Sequence, residues 1–295
     1  MYDVVVIGSG PGGYVAAIRC AQLGMKTAII ERYDTLGGTC LNVGCIPSKA
    51  LLDSSEHYLK AQNEFKEHGI DLKELKVNLT QMIKRKDKVV NETVQGVNHL
   101  MKKNKIEVYN GHGSFVDKNT IEISKGKGKK KEKIETKKTI IATGSKPATL
   151  PGVEIDKKRV ITSTEALNLK NVPKHIVMIG GGIIGLEMGS VYARLGAKVT
   201  VVEFMDSIIS SMDKTMGKEL QKSLKKLGFD FKLNHKVTGV KSTTKQVTVT
   251  AKDKKGNEQQ FKGDYCLMAV GRRPYTDNLG LDKAGIEVDY KGKVI

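Results

Sequence analysis

Four cysteines in 295 residues are too few for a disulfide framework. They are Cys20, Cys40, Cys45 and Cys266, and just one pair, Cys40 and Cys45, is close in sequence. A single close pair in so long a chain points to redox chemistry in a reducing compartment rather than to a structural staple. Long apolar runs are also missing. The longest, near residues 4–7 and 176–179, are strand-sized and fall far short of the roughly 20 residues that span a bilayer. A strand begins directly after Met1, so neither a secretory signal nor an Arg-rich leader is expected ahead of it. Aromatic residues are sparse, at 5%, and none interleaves with the lysines of residues 125–138.

What is present describes a soluble globular chain, 39% hydrophobic and 28% charged, long enough for one large or two ordinary cores. The formal net charge of +18 raises nucleic acid or an acidic surface as a partner. Much of the excess lies in one stretch, KGKGKKKEKIETKK at 125–138, which interrupts a β pattern and reads as a solvated hairpin tip. Without aromatic residues to stack bases, nucleic acid is disfavoured as a partner.

The glycines carry the next signal. A β-branched run at 4–7 leads into GSGPGG, with Gly8, Gly10 and Gly13 in G-x-G-x-x-G spacing. A helix over 14–22 and a strand over 27–30 follow, closed by Glu31. In that setting the glycines admit a pyrophosphate to the backbone, the helix N-terminus stabilises its charge, and Glu31 accepts from a ribose. The pattern recurs 172 residues later. A strand over 175–179 leads to GGGIIG with Gly180, Gly182 and Gly185, then a helix over 186–194 and a strand over 199–202 closed by Glu203. Gly8 to Glu31 and Gly180 to Glu203 both span 23 positions, so the chain holds two dinucleotide units or a duplicated one. Residues 204–209, FMDSII, contain no arginine, and an acidic Glu203 repels a 2′-phosphate, so the second unit is expected to take NAD rather than NADP.

Between the two units lies GGTCLNVGCIPSKALL, residues 37–52, with a helix expected from Ser48 onward. Five residues of regular helix rise about 7.5 Å, beyond the roughly 4.4–6.8 Å between bonded cysteine Cα atoms. If Cys40 and Cys45 bond, Cys40 must therefore sit on an irregular first turn, with Gly37, Gly38 and Gly44 supplying the freedom. Two buried cysteines that never pair remain the plain alternative. Elsewhere, two polar scaffold helices are expected over 53–68 and 78–104, and short strands over 106–108, 113–116, 120–124 and 139–142. A further helix is expected over 211–227, then a β meander from strands at 229–233, 236–240, 247–251, 259–262 and 265–270.

Residues 37–52 resemble the redox-disulfide signature of the flavoprotein disulfide reductases, and IPSKALL is most similar to the dihydrolipoyl dehydrogenase branch. The resemblance extends over essentially the whole chain. It implies an α/β fold of two Rossmann-like dinucleotide-binding domains, FAD then NAD, each with a β-meander. The expected domains are 1–146 for FAD, 147–274 for NAD, and 275–295 as the start of a return to the first. It implies a redox pair, with Cys40 as the interchange thiol and Cys45 as the thiol facing the flavin. Lys49, Gly113, Thr143, Gly144 and Ser145 would lie near FAD, and Glu187, Val237 and Gly271 near NAD. Because the first fingerprint shares a unit with the cysteines, FAD belongs there.

The implied reaction is oxidation of dihydrolipoamide on lipoyl proteins of 2-oxo acid dehydrogenase complexes, with NAD as acceptor. The setting would be the mitochondrial matrix of a eukaryote or the cytoplasm of a bacterium, and the parent a homodimer. Two alternatives stand beside it: a reductase of the mercuric or glutathione type, and a basic nucleotide-binding module without catalysis. Residues 1–295 lack the family's glycine–aspartate flavin segment, its dimer domain and that domain's His–Glu pair, so the chain is expected to be a C-terminally truncated member.

Overall fold

The computed structural model describes residues 1–126 and 131–295, so the middle of the lysine-rich stretch, residues 127–130, lies outside the described residues. The first half of the chain runs β1 (Tyr2–Ile7), α1 (Pro11–Gln22), β2 (Thr27–Glu31), α2 (Gly38–Val43), α3 (Cys45–Asn63), α4 (Leu79–Lys103), β3 (Glu107–Asn110), β4 (His112–Phe115), β5 (Thr120–Ser124) and β6 (Lys131–Ile141). Then come β7 (Ser145–Pro147), β8 (Val160–Ile161), α5 (Ser163–Ala166), β9 (His175–Ile179), α6 (Ile183–Arg194), β10 (Lys198–Val202) and α7 (Lys214–Lys226). The last strands are β11 (Phe229–Lys232), β12 (Lys236–Ser242), β13 (Val247–Lys252), β14 (Glu258–Gly263), β15 (Tyr265–Met268) and β16 (Arg272–Pro274).

The chain forms two units. The first holds Met1–Ile46, Lys88–Lys146 and Arg272–Ile295; the second holds Pro47–Asp87 and Pro147–Gly271. Residues 47–87, expected inside a continuous 1–146 domain, thus group with 147–271, and 272–274 group with the first unit. The cause is local: Arg194 donates to the Leu52 carbonyl at 3.0 Å and Lys86 to the Asn168 side chain at 2.6 Å, while Arg85 ties α4 to α3 within the segment through the Ala50 carbonyl at 3.0 Å and Asp53 at 2.7 Å.

In the first unit β3-β2-β1-β6 form a parallel sheet that continues through antiparallel β5 and β4. The central strands are buried on both faces, as apolar β-branched runs require. Val5, Ile7 and Ile30 pack with Phe115, Ile121 and Ile123 on one side; Val4, Val6 and Ile29 pack with Ala17, Val97 and Met101 on the other.

The second unit repeats the order as parallel β11-β10-β9-β15, with β8 added at the edge, and carries a separate antiparallel sheet β12-β13-β14. Two expectations are corrected here. The strands near 229–233 and 265–270 are not part of the meander; β11 and β15 are parallel members of the main sheet. β11 pairs with β10, and β15 with β8 and β9, all in parallel, and length and composition alone do not separate such strands from antiparallel ones. The helix expected over 211–227 begins later, at Lys214, where the Asp213 side chain caps the Thr215 N–H at 2.8 Å.

The duplication holds in three dimensions. Gly8 and Gly180 have φ of +101° and +100°, and a Cβ on either would lie 2.4 Å from the Ala142 oxygen or 2.5 Å from the Ala269 oxygen. Gly8 N–H donates to the Ile30 carbonyl at 2.8 Å, and Gly180 N–H to that of Val202 at 2.9 Å. A Cβ at Gly13 would strike the Gly8 carbonyl oxygen at 1.9 Å, whereas a Cβ at Gly10 meets nothing within 4 Å. Replacement of Gly13 by Ala is therefore expected to cost about 3 kcal/mol or more, since backbone must move. The same change at Gly10 should cost within about 1 kcal/mol. Urea unfolding of both variants checks the contrast.

His175 supplies a pH dependence. Its Nε2 meets the Thr200 hydroxyl at 2.9 Å, and burial, aided by Lys198, holds its pKa below the ordinary 6.5. A base with a depressed folded pKa favours the unfolded chain once that chain protonates. Stability should therefore be complete above pH 6.5 and fall as pH drops through it toward the folded value. His175→Gln should flatten the loss of urea midpoint between about pH 7 and pH 5.

Candidate functional site

The first unit ties the cysteine segment directly to the first glycine loop. Glu31, at the end of β2, is buried and fully bonded: one carboxylate oxygen accepts from the Ser9 N–H at 3.0 Å and the Ser9 hydroxyl at 2.5 Å, the other from the Tyr33 N–H at 2.9 Å. Ser9 also reaches the cysteine segment, because the Gly37 N–H donates to the Ser9 carbonyl at 3.0 Å and to its hydroxyl at 3.2 Å. One residue later the backbone crosses Gly10 so closely that a Cβ on Gly38 would lie 2.6 Å from the Gly10 Cα.

Cys40 sits on α2, a short helix of its own, and Cys45 opens α3. The structure thus corrects the expectation of an irregular first turn on a single helix. Gly44 makes the break, at φ −141° and ψ −116° between the two helices, and a Cβ there would lie 2.8 Å from the Thr39 carbonyl oxygen and 3.3 Å from the Cys40 Cα. The chain folds back over Cys40 before it presents Cys45. Cys40 is half-buried and Cys45 exposed. Cys266 is buried, and burial pushes its thiol up to about 12, which removes it from chemistry near neutral pH.

The end of β6 meets the last segment of the same unit. The Thr143 hydroxyl donates to the Tyr275 carbonyl at 2.6 Å, and the Tyr275 N–H donates to the Gly144 carbonyl at 2.9 Å. The Arg272 guanidinium holds the Ser145 hydroxyl at 2.8 Å and the Ser145 carbonyl at 2.5 Å. Burial draws the Arg272 pKa below its ordinary value, and interaction with the Cys45 charge opposes that shift. Arg272, Tyr275 and Ser9 were not singled out from the sequence. Ser9 is a variable position of the glycine motif, and Arg272 and Tyr275 reach their partners over more than a hundred residues of chain.

A Cβ at Gly113 would lie 3.1 Å from Ile30 Cδ1 and 3.4 Å from Ile7 Cγ2, so the core behind it leaves little room for a side chain.

In the second unit Glu203 repeats the arrangement of Glu31 without a serine. One oxygen accepts from the Gly181 N–H and the other from the Met205 N–H at 2.7 Å. The His235 N–H donates to the Glu203 carbonyl at 2.8 Å, as the Gly111 N–H does to that of Glu31 at 2.8 Å. Val237 and Gly113 each follow that donor by two positions, so they are equivalent places in the duplicated design. Lys49 pairs with Glu187 at 2.5 Å, and the Ser48 hydroxyl lies 3.5 Å from the same carboxylate. Gly271, at φ +117°, and Gly144, at φ +70°, both face open space.

Both loops fit a dinucleotide. The helices behind them, α1 and α6, start at Gly10 and Gly182 with no side chain capping them, and no atom lies within 3.5 Å of a Cβ built on either glycine. First-turn N–H groups and an uncovered backbone are what a diphosphate requires. Among the described residues no group of three or more His, Cys, Asp or Glu side chains is arranged to hold a metal, and no helix is long and apolar enough to cross a membrane.

Residues 2–295 match the family described as pyridine nucleotide-disulphide oxidoreductase. The chain belongs to that family. It is 49% identical over 295 residues to the mitochondrial dihydrolipoyl dehydrogenase of Schizosaccharomyces pombe, covering all of this chain and 58% of the relative. It is 48% identical to that of Pisum sativum over 99% of this chain and 58% of the relative. A leghemoglobin reductase of Glycine max is also 48% identical, over 99% of this chain and 56% of its own length. Among solved structures, the HOCl-induced flavoprotein disulfide reductase RclA of Escherichia coli aligns with a TM-score of 0.85 at 29% identity, covering all of this chain and 62% of that one. The chain thus spans somewhat over half the length of the curated relatives it matches. For a pyridine nucleotide-disulphide oxidoreductase, two dinucleotide loops correspond to two cofactors, FAD and NAD(H).

The bonding of Glu31 yields a prediction. Glu31→Ala strips the acceptor from two N–H groups and a buried hydroxyl, and should destabilise the chain by about 2–3 kcal/mol, read by urea unfolding. Glu203→Ala, whose carboxylate holds two N–H groups and no hydroxyl, should cost less.

Proposed function

We propose that this chain carries the flavin-, disulfide- and pyridine-nucleotide-binding portion of a dihydrolipoyl dehydrogenase, which oxidises dihydrolipoamide on lipoyl proteins and delivers the electrons to NAD. The observation that carries the reading is the bond between the cysteine segment and the first glycine loop, made by Gly37 and Gly38 against Ser9 and Gly10. A redox pair mounted on one nucleotide loop and not on its duplicate assigns that loop to the prosthetic group. FAD belongs at Gly8, Gly10, Gly13 and Glu31, with Thr143, Gly144 and Ser145 beside it. NAD belongs at Gly180, Gly182, Gly185 and Glu203, with Val237 and Gly271 beside it. Glu203 as a ribose acceptor, followed by Phe204 and Met205 with no arginine, suits a free 2′-hydroxyl.

In the reaction one sulfur of the substrate dithiol attacks the Cys40 sulfur of the Cys40–Cys45 disulfide, forming a mixed disulfide and releasing Cys45 as thiolate. The second substrate sulfur then displaces Cys40. The substrate leaves as the cyclic disulfide, two electrons poorer, and both cysteines are reduced. FAD, when bound, supplies the two-electron relay from these thiols to NAD. Around it the chain contributes positive charge: Arg272, fixed on Ser145, interacts electrostatically with Cys45. Lys49 and Glu187 hold each other, which fixes the orientation of both side chains. Relatives named mitochondrial support a mitochondrial compartment, and the family resemblance implies a homodimeric parent.

The test is an absorbance spectrum of the purified protein reconstituted with FAD, recorded before and after anaerobic dihydrolipoamide. The protein should be yellow and should gain a long-wavelength thiolate–flavin band. Cys45→Ser should retain FAD and lose the band. A full band in Cys45→Ser, or none in the wild type with FAD bound, overturns the reading.

A further inference from the structure

The two glycine loops are near copies, yet the residue that follows each acidic strand end differs in kind. The Tyr33 and Met205 N–H groups make the same bond, to the Oε1 of Glu31 or Glu203, so Arg32 and Phe204 occupy one backbone position in the two units. In a dinucleotide held by such a loop the diphosphate lies on the glycines, the ribose at the acidic residue, and the purine beyond it. Arg32 and Phe204 thus stand at the purine end.

In the first unit that position is closed by a stack. The Arg32 guanidinium lies over the Tyr275 ring at 4.1 Å and over the Tyr33 ring at 4.5 Å, and it donates to the Tyr33 hydroxyl. Lys146 covers Tyr275 at 4.7 Å. Tyr275 is itself pinned to Thr143 and Gly144 by the two bonds described above. The stack therefore joins the end of β2 to the end of β6 across the edge of the loop. Tyr33 is itself 57% exposed, so the difference lies in the stack: among the described residues of the second unit no ring or cation is stacked on Phe204, which is 66% exposed.

We infer that the Arg32–Tyr275 stack is a clamp on the adenosine end of the dinucleotide at the first loop, which sets its slow release, and that the exposed Phe204 leaves the second loop open to exchange. The inference rests on the assignment of FAD to the first loop and NAD to the second. A guanidinium ordered by two rings offers its edge N–H groups to a purine and a positive charge to the diphosphate; Phe204 offers a ring face alone.

The test is the release rate of FAD from the reconstituted protein, followed by flavin fluorescence after dilution, beside NADH affinity measured by fluorescence titration. Arg32→Ala and Tyr275→Ala should each speed FAD release about tenfold, and the double variant should be no faster than the faster single, because both remove one stack. NADH affinity should stay within a factor of about two, and binding of FMN, which lacks adenosine, should not respond to either change. FAD release at the wild-type rate in both single variants overturns the clamp and leaves the cofactor assignment standing. An equal loss of FMN binding shows general damage to the loop and also overturns it. Wild-type protein that binds NADH and no FAD overturns the clamp together with the assignment beneath it.

Discussion

The absence of a side chain at Gly38 is the constraint on which the placement of the cysteine segment depends. The segment that carries Cys40 crosses Gly10 with no room for a Cβ between the two backbones, and Ser9 binds it on the same spot through Gly37. Any larger residue at 38 would lift α2 from the nucleotide loop by the width of a methyl group, and Cys40 with it. The Ser9 hydroxyl has two partners, accepting from Gly37 and donating to Glu31, so the acidic strand end and the cysteine segment share one hydrogen-bonded hub. Position, not reactivity, is what this hub contributes.

The second unit shows what the loop is like without that hub. Gly181 stands where Ser9 stands, Glu203 takes its N–H directly, and no cysteine segment is attached. Backbone conformation, the close approach to the alanine at the end of β6 or β15, and the bond from the third strand to the acidic residue are all retained. A nucleotide-binding loop is thus the shared element. The differences lie in the side chains around it: Ser9, Arg32 and Tyr275 in one unit, Gly181, Phe204 and Met205 in the other.

The glycine spacing was legible in the sequence because each glycine answers a local demand. Gly8 and Gly180 adopt a left-handed conformation, and Gly13 and Gly185 leave no room for a side chain, so no other residue fits and the pattern is strict. The parallel strands after Met1 and before Gly180 were equally plain, being short apolar runs between turn residues. What was not legible arises at long range. The roles of β11 and β15 depend on which strand lies beside them, and their composition does not say. Residues 47–87 read as part of the first domain, yet Arg194 holds α3 within the second unit, through a main-chain carbonyl that leaves no mark on the sequence of the helix. The tight packing of Ile30 and Ile7 against Gly113 is likewise long-range and left no local mark.

The four cysteines show how far environment, rather than residue type, decides chemistry. Cys266 lies in β15 among Val177, Val160 and Val249, where burial favours the neutral thiol and leaves it inert. Cys20 is half-buried on the last turn of α1, packed in the apolar layer with Ala21. Cys45, in contrast, is exposed at the first residue of a long helix, where the unbonded N–H groups and the helix dipole favour negative charge. Arg272 adds a guanidinium whose own hydrogen bonds go to neutral oxygens of Ser145, so its charge is not spent on a carboxylate. Of four identical side chains, one has both exposure and positive charge, and Gly44 folds the chain so that Cys40 is the sulfur-bearing residue beneath it.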